Sequence, residues 1–321
     1  GDRISRGEQS LVFVNRRGFA PVVVCTECGW QALCPRCDAR QTLHRRTGRV
    51  ICHHCGSQAS LPAKCPQCHT PGLFAVGEGT QRVEEALVRI FPKARVMRID
   101  SDVAGPAEEI ARALEAVRER AVDILVGTQM LSKGHDFAGV TLVCVLSADQ
   151  GLYSLDFRGP ERLSQQLAQV SGRAGRRDSP GAVLVQTSHP ESPAFARLKT
   201  HDFVGFAKEA LIERKAAGYP PYARFALMRA ESTQSGAPMT FLRSAALAGE
   251  ALSYRKAVEI MAPVPSPMER RAGRFRAQLL VRSKDEHRFH RFLDNWLQGI
   301  ESSRGATAVR WSIDVDPQEM Y

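Results

Sequence analysis

DILVGTQMLSKGHDFAGVTLVCVL, residues 123–146, holds two near-continuous apolar runs, DILVG (123–127) and VTLVCVL (140–146), joined by a polar, glycine-bearing loop. Runs that are apolar at successive positions fit parallel strands covered on both faces. Moving outward, the pattern returns. LVFV (11–14) is a short apolar run before the turn-like Asn15-Arg16-Arg17-Gly18, and PVVV (21–24) is a second. TQRVEEALVRIF (80–91) places Val83, Leu87 and Ile90 on one helical face, and ARVMRID (94–100) reads as a strand. Residues 106–119 read as an amphipathic helix, with Pro106 near its start and Ile110, Leu114 and Val117 inward. A further helix is expected at 160–170 and a further strand at AVLVQT (182–187). Strands alternating with helices predict an α/β fold built on an open parallel sheet.

The pattern changes after residue 187. SHPESP (188–193) is a loop, a helix is expected at roughly 194–217, and Gly218-Tyr219-Pro220-Pro221-Tyr222 breaks it. Beyond lie strands at 225–231 and 275–283 and helices at 239–255 and 285–299, a smaller α+β domain. The expected organisation is a parallel-sheet domain at 1–24 and 69–193, an inserted cysteine-rich region at 25–68, a connecting helix at 194–218 and the α+β domain at 219–321.

Eight of the nine cysteines form four Cys-x-x-Cys pairs: Cys25/Cys28, Cys34/Cys37, Cys52/Cys55 and Cys65/Cys68. Each pair puts two thiolates on one side of a tight turn, and two turns supply the four ligands of a tetrahedral zinc site. Four turns imply two structural zinc ions. The four turns can be grouped in three ways. Loop lengths favour the nested grouping, with Cys34, Cys37, Cys52 and Cys55 inside and Cys25, Cys28, Cys65 and Cys68 outside. The 14 residues between Cys37 and Cys52 resemble a zinc-ribbon loop, whereas the five between Cys28 and Cys34 are too few to wrap one ion comfortably. Disulfides are the alternative, but no signal-like apolar run points to an oxidising compartment. His44, His53, His54 and His69 lie nearby and read as surface residues, since eight thiolates fill two sites.

The 321 residues carry a formal net charge of +10, which two four-thiolate zinc sites at −2 each would lower to +6. A basic balance suggests a polyanionic partner. No run of 18 apolar residues occurs, so a membrane span is not expected and a cytoplasmic, reducing setting is. Cys144, inside VTLVCVL, reads as a strand residue facing the core. The chain opens on Gly1 and runs directly into an apolar strand, which suggests a piece of a longer protein.

Two loops carry the chemistry. GTQMLSKGHDF (127–137) follows a strand, and ligands in open parallel sheets sit at the carboxyl ends of strands. Thr128, Gln129, Ser132, Lys133 and His135 offer donors to phosphate there. QVSGRAGR (169–176) ends a predicted helix with two arginines between glycines, and planar guanidinium groups suit phosphate oxygens. A basic surface loop is the plainer reading of the second. No G-x-x-x-x-G-K-[ST] phosphate loop and no Asp-Glu-x-His strand end occurs in the chain.

QVSGRAGR resembles the last motif of superfamily 2 helicases, the one that carries the arginine finger, and ILVGTQMLSKGHDF resembles the motif before it in the same motor lobe. With LVFVNRRGF (11–19), GEGT (77–80), the cysteine turns and DFRGPERLSQQL (156–167), the chain resembles the PriA family of replication-restart helicases over essentially its whole length. The resemblance implies a RecA-like second motor lobe, a zinc-binding insertion and a C-terminal domain. It implies that Arg173 and Arg176 reach the γ-phosphate of ATP held with magnesium by a first lobe, with Gln169 and Gly172 in the same motif. Gly134 and Asp136 would couple nucleotide state to lobe closure, and Thr128, Gln129 and Lys133 would face DNA. It further implies that the zinc insertion aids strand separation and partner assembly. Residues 1–75 carry ten Lys/Arg against four Asp/Glu, with Trp30 among the turns. In ERRAGRFRAQ (269–278), Arg270, Arg271, Arg274 and Arg276 surround Gly273 and Phe275. The resemblance makes Arg270 and Arg271 DNA contacts, and makes Arg274 and Gln278 part of a pocket for the acidic tail of single-stranded DNA-binding protein. Three positions depart from the family pattern: Ala277 stands where an aromatic is common, Ser147 where an aspartate is, and Gln81 where a glutamate is.

The expected function is therefore part of an ATP-dependent 3′→5′ DNA helicase that recognises and remodels stalled forks for primosome assembly at the bacterial replication fork. Lacking a first lobe, this chain alone should not hydrolyse ATP. Two other readings stay open here: an ATPase-null DNA- and protein-binding scaffold, against which an intact arginine motif argues, and a zinc-ribbon RNA-binding protein.

Overall fold

The computed structural model describes residues 1–14, 22–44, 47–76, 80–99, 107–128, 137, 139–154, 156–175, 181–302 and 309–320. In chain order the described elements begin with α1 (Asp2–Ser5), β1 (Gln9–Val14), β2 (Val22–Cys25), β3 (Thr42–His44), β4 (Arg49–Ile51), β5 (Gln58–Ser60) and β6 (Leu73–Val76). There follow α2 (Thr80–Ile90), β7 (Val96–Ile99), α3 (Ala107–Arg118), β8 (Ile124–Gly127), β9 (Val140–Leu146), α4 (Gly159–Ser171) and β10 (Ala182–Val185). The last stretch holds α5 (Pro193–Lys199), α6 (Phe203–Ala217), β11 (Arg224–Ser232), α7 (Ala237–Glu250), β12 (Glu259–Ile260), β13 (Val264–Arg271), β14 (Arg274–Ser283), α8 (Glu286–Glu301) and β15 (Arg310–Val315). The chain divides into two compact units, Gly1–Pro21 with Ala75–Ala207, and Val22–Phe74 with Lys208–Tyr321.

The first unit is a parallel sheet in the order β10-β9-β1-β8-β7. Every residue of the central strand β1 is buried, because successive side chains point to opposite faces and both faces are covered. Leu11 and Phe13 join Leu125, Val143 and Val145 under Leu114 and Val117 of α3 and Leu163 and Leu167 of α4. Val12 and Val14 join Ile124 and Val126 under Val83 and Leu87 of α2. This is the three-layer arrangement that the unbroken apolar runs predict. Ile90 departs from expectation: it is 65% exposed, and Phe91 packs against the core in its place. The single helix expected over 194–217 is two. α5 ends at Lys199, His201 takes a left-handed φ of 53°, and the Asp202 carboxylate accepts the Gly205 N–H at 2.8 Å to start α6.

The second unit has two sheets. One runs β5-β4-β3-β2-β6, with β2–β3, β3–β4 and β4–β5 antiparallel. PVVV (21–24) thus supplies β2 of this ribbon and not a strand of the parallel sheet. The ribbon's apolar core is small: Val23, Ala32 and Val50, with Trp30, Leu43 and Leu73 against them. Trp30 is therefore engaged in packing. A core of that size needs a covalent or metal staple. The other sheet runs β12-β14-β11-β15, with β13 also on β14. Helices α7 and α8 cover one of its faces, burying Phe289, Phe292 and Trp296 against Ala226, Met228 and Leu279. The indole N–H of Trp296 donates to the Ala245 carbonyl at 2.7 Å, so the buried ring leaves no polar atom unmet. No helix among the described residues is long and apolar enough to cross a membrane.

Candidate functional site

The fold gathers the eight paired cysteines into two groups, Cys25 with Cys28, Cys65 and Cys68, and Cys34 with Cys37, Cys52 and Cys55. Within each group the four sulfurs lie within 4.8 Å of one another. The Sγ–Sγ distances are 3.5 Å for Cys25–Cys68, 3.6 Å for Cys28–Cys65 and 3.7 Å for Cys34–Cys55. A disulfide is about 2.05 Å. A tetrahedron with Zn–S bonds of about 2.3 Å has edges of about 3.8 Å. The spacing fits the second. Within each centre the thiols are pushed in opposite directions. The backbone N–H of Cys28 draws the Cys25 thiol down to about 6, and that of Ser57 draws Cys55 down to about 7. The Trp30 N–H pulls on Cys28 too, but burial and three neighbouring thiols outweigh it and push Cys28 up to about 12. Burial and the thiols of Cys55, Cys52 and Cys34 likewise push Cys37 up to about 12, against the pull of the Ala272 N–H. Four sulfurs gathered this closely suit a cation between them. With all four ligands supplied by protein, the zinc is structural and has no open position. His53, His54 and His69 are exposed, as expected.

The second candidate region lies along the parallel sheet. Thr128, buried, follows the carboxyl end of β8. Its loop partners Gln129, Lys133, Gly134 and Asp136 fall outside the described residues, as does Arg176. α4 ends at Ser171 with Gly172 as its cap, whose N–H donates to Ala168 O. The turn then tightens, as Arg173 N–H reaches Val170 O and Ala174 N–H reaches Ser171 O, both at 3.0 Å. Gly175 takes a φ of 70°, which favours glycine, and its N–H reaches Val140 O at 3.1 Å. Gln169 is exposed and Arg173 half-buried. The rule that ligands gather at carboxyl ends of strands holds for Thr128 but not for Arg173. Gly127 is level with Phe13, and Phe13 with Val145, so Thr128 lies by the far end of β9. The Arg173 turn is tied through the Gly175 N–H to Val140, the first residue of β9, about 20 Å along the strand direction from the level of Thr128.

In the second unit, β13 and β14 form a hairpin turned by Ala272 and Gly273 at φ 53° and 82°, with Arg271 opposite Arg274. Residues 274, 276 and 278 face away from the core, while Ala277 is 1% exposed within it. An aromatic at 277 would point inward, so stacking there is ruled out. Arg274 reaches Glu231 at 3.9 Å. Gln278 donates to Met320 O at 3.4 Å, and its buried Oε1 has no partner among the described residues. Two further supports of the zinc centres carry no motif and were missed in the sequence. The Thr70 hydroxyl lies 3.0 Å from Cys68 Sγ, and Asp38 pairs with Arg270. The only signal for either is its position one or two residues after a zinc ligand.

Three family models match the chain: the helicase conserved C-terminal domain over residues 74–178, the PriA DNA helicase Cys-rich region over 34–59, and the primosomal protein N C-terminal domain over 215–318. Replication restart protein PriA of Haemophilus influenzae is 39% identical over 318 residues, 99% of this chain and 43% of that protein. The Bacillus subtilis and Synechocystis proteins of the same name are each 38% identical over 99% of this chain, and 40% and 38% of their own lengths are matched. The chain thus spans less than half the length of these relatives.

Proposed function

The chain belongs to the PriA family of replication-restart proteins, with a RecA-like helicase lobe, a zinc ribbon and a C-terminal domain, and from that premise we propose that it is the second motor lobe and fork-binding half of an ATP-dependent 3′→5′ DNA helicase. The observation that carries this reading is the Arg173 turn. Gly175's left-handed backbone and its bond to Val140 fix the turn against the sheet, which is how a charge must be held if it is to serve a reaction without reorganising. Arg173 and Arg176 supply positive charge to phosphoryl oxygens as the γ-phosphoryl group transfers. Gln169 and Gly172 flank them, and Gly134 and Asp136 link that site to lobe movement. ATP with magnesium, held by the rest of the protein, supplies the free energy.

Thr128, at the carboxyl end of β8, contacts the DNA backbone together with Gln129 and Lys133 of the same motif. Thr128 follows the carboxyl end of β8 and the Arg173 turn is anchored at the start of β9, which suits a lobe that senses DNA and nucleotide at different edges. Arg270 and Arg271 add DNA contacts in the C-terminal domain. Arg274, with Gln278 on the same outward face of β14, suits the acidic tail of single-stranded DNA-binding protein, the guanidinium pairing with its carboxylates. Assembly with primosome proteins at a stalled fork follows from the same family reading. Strand-displacement assays on the full-length protein test it: with ATP, forks bearing a 3′-tailed loading strand are unwound. ATP-independent strand separation, or unwinding confined to 5′-tailed substrates, would overturn it.

A further inference from the structure

In all four zinc knuckles the first cysteine's N–H bonds the carbonyl five residues on, and three of them close a second time in the reverse direction. After the second cysteine the chain turns left-handed, at Gly29 with φ 72°, Gly56 with φ 71° and His69 with φ 60°. That turn lets the next N–H reach back to the carbonyl of the first cysteine: Gly29 to Cys25 O at 3.1 Å, Gly56 to Cys52 O at 2.8 Å and His69 to Cys65 O at 2.9 Å. The fourth knuckle, Cys34-Pro35-Arg36-Cys37-Asp38, does otherwise. Asp38 is not left-handed, and its N–H donates to the carbonyl of Arg270, 232 residues away, at 2.8 Å.

The hairpin tip answers with bonds of its own. The Arg270 N–H donates to the Asp38 carboxylate at 2.6 Å, and the Gly273 N–H donates to Arg36 O at 2.8 Å. The Arg36 guanidinium donates to Ala272 O at 3.2 Å. Most telling, the Ala272 N–H points at a zinc ligand, Cys37 Sγ, at 3.1 Å. The left-handed pair Ala272 and Gly273 turns these amides outward. In the other cysteine group the N–H donors to sulfur are local: Gln67 and Cys68 both serve Cys65. Only the inner centre draws a sulfur-directed N–H from a remote element among these bonds.

We propose that the tip of the β13–β14 hairpin is the closing half of the fourth zinc knuckle, so that inner-site zinc occupancy and docking of the ribbon on the C-terminal domain are thermodynamically linked. An N–H directed at a thiolate stabilises its negative charge, and such outer bonds orient a ligand and hold its metal. By linkage, the metal that organises Cys34–Asp38 holds the hairpin tip to the same degree. The inner zinc then acts as a bolt between two modules, while the outer zinc stabilises the ribbon alone.

Zinc release into excess chromogenic chelator, followed on the full chain, tests this. The unaltered protein releases two zinc ions in separable phases, and Cys25→Ser, which disables the outer centre, identifies the inner one. Asp38→Ala removes the carboxylate that receives the Arg270 N–H. It should speed the inner phase by roughly 10- to 100-fold and leave the outer phase unchanged, and Asp38→Asn, which keeps a carbonyl acceptor, should restore most of the retention. No change in either phase, or equal acceleration of both, would overturn the linkage. Amide exchange on the unaltered chain gives a second reading that depends on no variant. Stripping both ions should expose the N–H groups of Asp38, Arg270, Ala272 and Gly273 while those of Leu279 and Val281 stay protected. Unchanged protection at the hairpin tip after zinc removal would also defeat the proposal.

Discussion

Asp123 and Arg95 join the residue that precedes β8 to the one that precedes β7. The Asp123 carboxylate accepts the Arg95 backbone N–H and two guanidinium N–H groups, at 2.7, 3.1 and 2.7 Å. The Arg95 side-chain bond, ahead of any other influence, holds the carboxyl below its usual range. A depressed folded value means that the stabilisation is fully present above the unfolded carboxyl value of about 3.9. It is lost as the pH falls through the folded value. Arg95 is more than half exposed, so the discounted contribution is about 1 kcal/mol. Asp123→Asn should therefore lower unfolding stability by that order at neutral pH, and the gap to the unaltered protein should close in acid. Denaturant titrations at pH 7 and near pH 3 check both halves, and a gap that widens in acid would reverse the assignment. At this scale the sequence was readable where chemistry is local. The cysteine turns declare themselves by spacing. Asp38 does not, because its partner Arg270 is 232 positions away.

Helices α7 and α8 meet at Gly249. A Cβ there would come within 2.7 Å of Ile260 Cδ1, 3.0 Å of Trp296 Nε1 and 3.1 Å of Phe292 Cζ. On helix propensity alone, Gly249→Ala should gain about 1 kcal/mol. Ile260 can swing aside, but the Trp296 ring is held by its bond to Ala245, and overpacking a fixed core costs about 1–3 kcal/mol. Packing should win, giving a net loss seen as a lower denaturation midpoint for the C-terminal domain. A gain would mean that the helices separate freely. Elements were legible where one pattern governs them: β9 occupies the bounds its apolar run predicts, 140–146. The break between α5 and α6 was not, because residues 194–217 carry a helical composition throughout and only Asp202's capping bond interrupts it. The sheet that β2 joins is not legible for a similar reason. VVVC reads as a buried strand in any sheet, and its true partner is chosen by the zinc ribbon that follows.

At the scale of the whole molecule, +10 of formal charge and two anionic zinc centres leave a basic chain. DNA affinity should fall steeply with salt, with a log–log slope of about −0.7 for each phosphate contacted on a single strand. A flat response would remove the DNA-backbone role given to Thr128, Lys133 and the hairpin arginines. The proposed role of the Arg173 turn is to serve an ATP site. DNA-stimulated ATP hydrolysis by the full-length protein carrying Arg173→Ala measures that most directly. The expected fall in kcat is a factor of about 10³–10⁵, with DNA affinity unchanged. Turnover equal to that of the unaltered protein would contradict it, and would leave Arg173 as an ordinary basic residue at the end of α4.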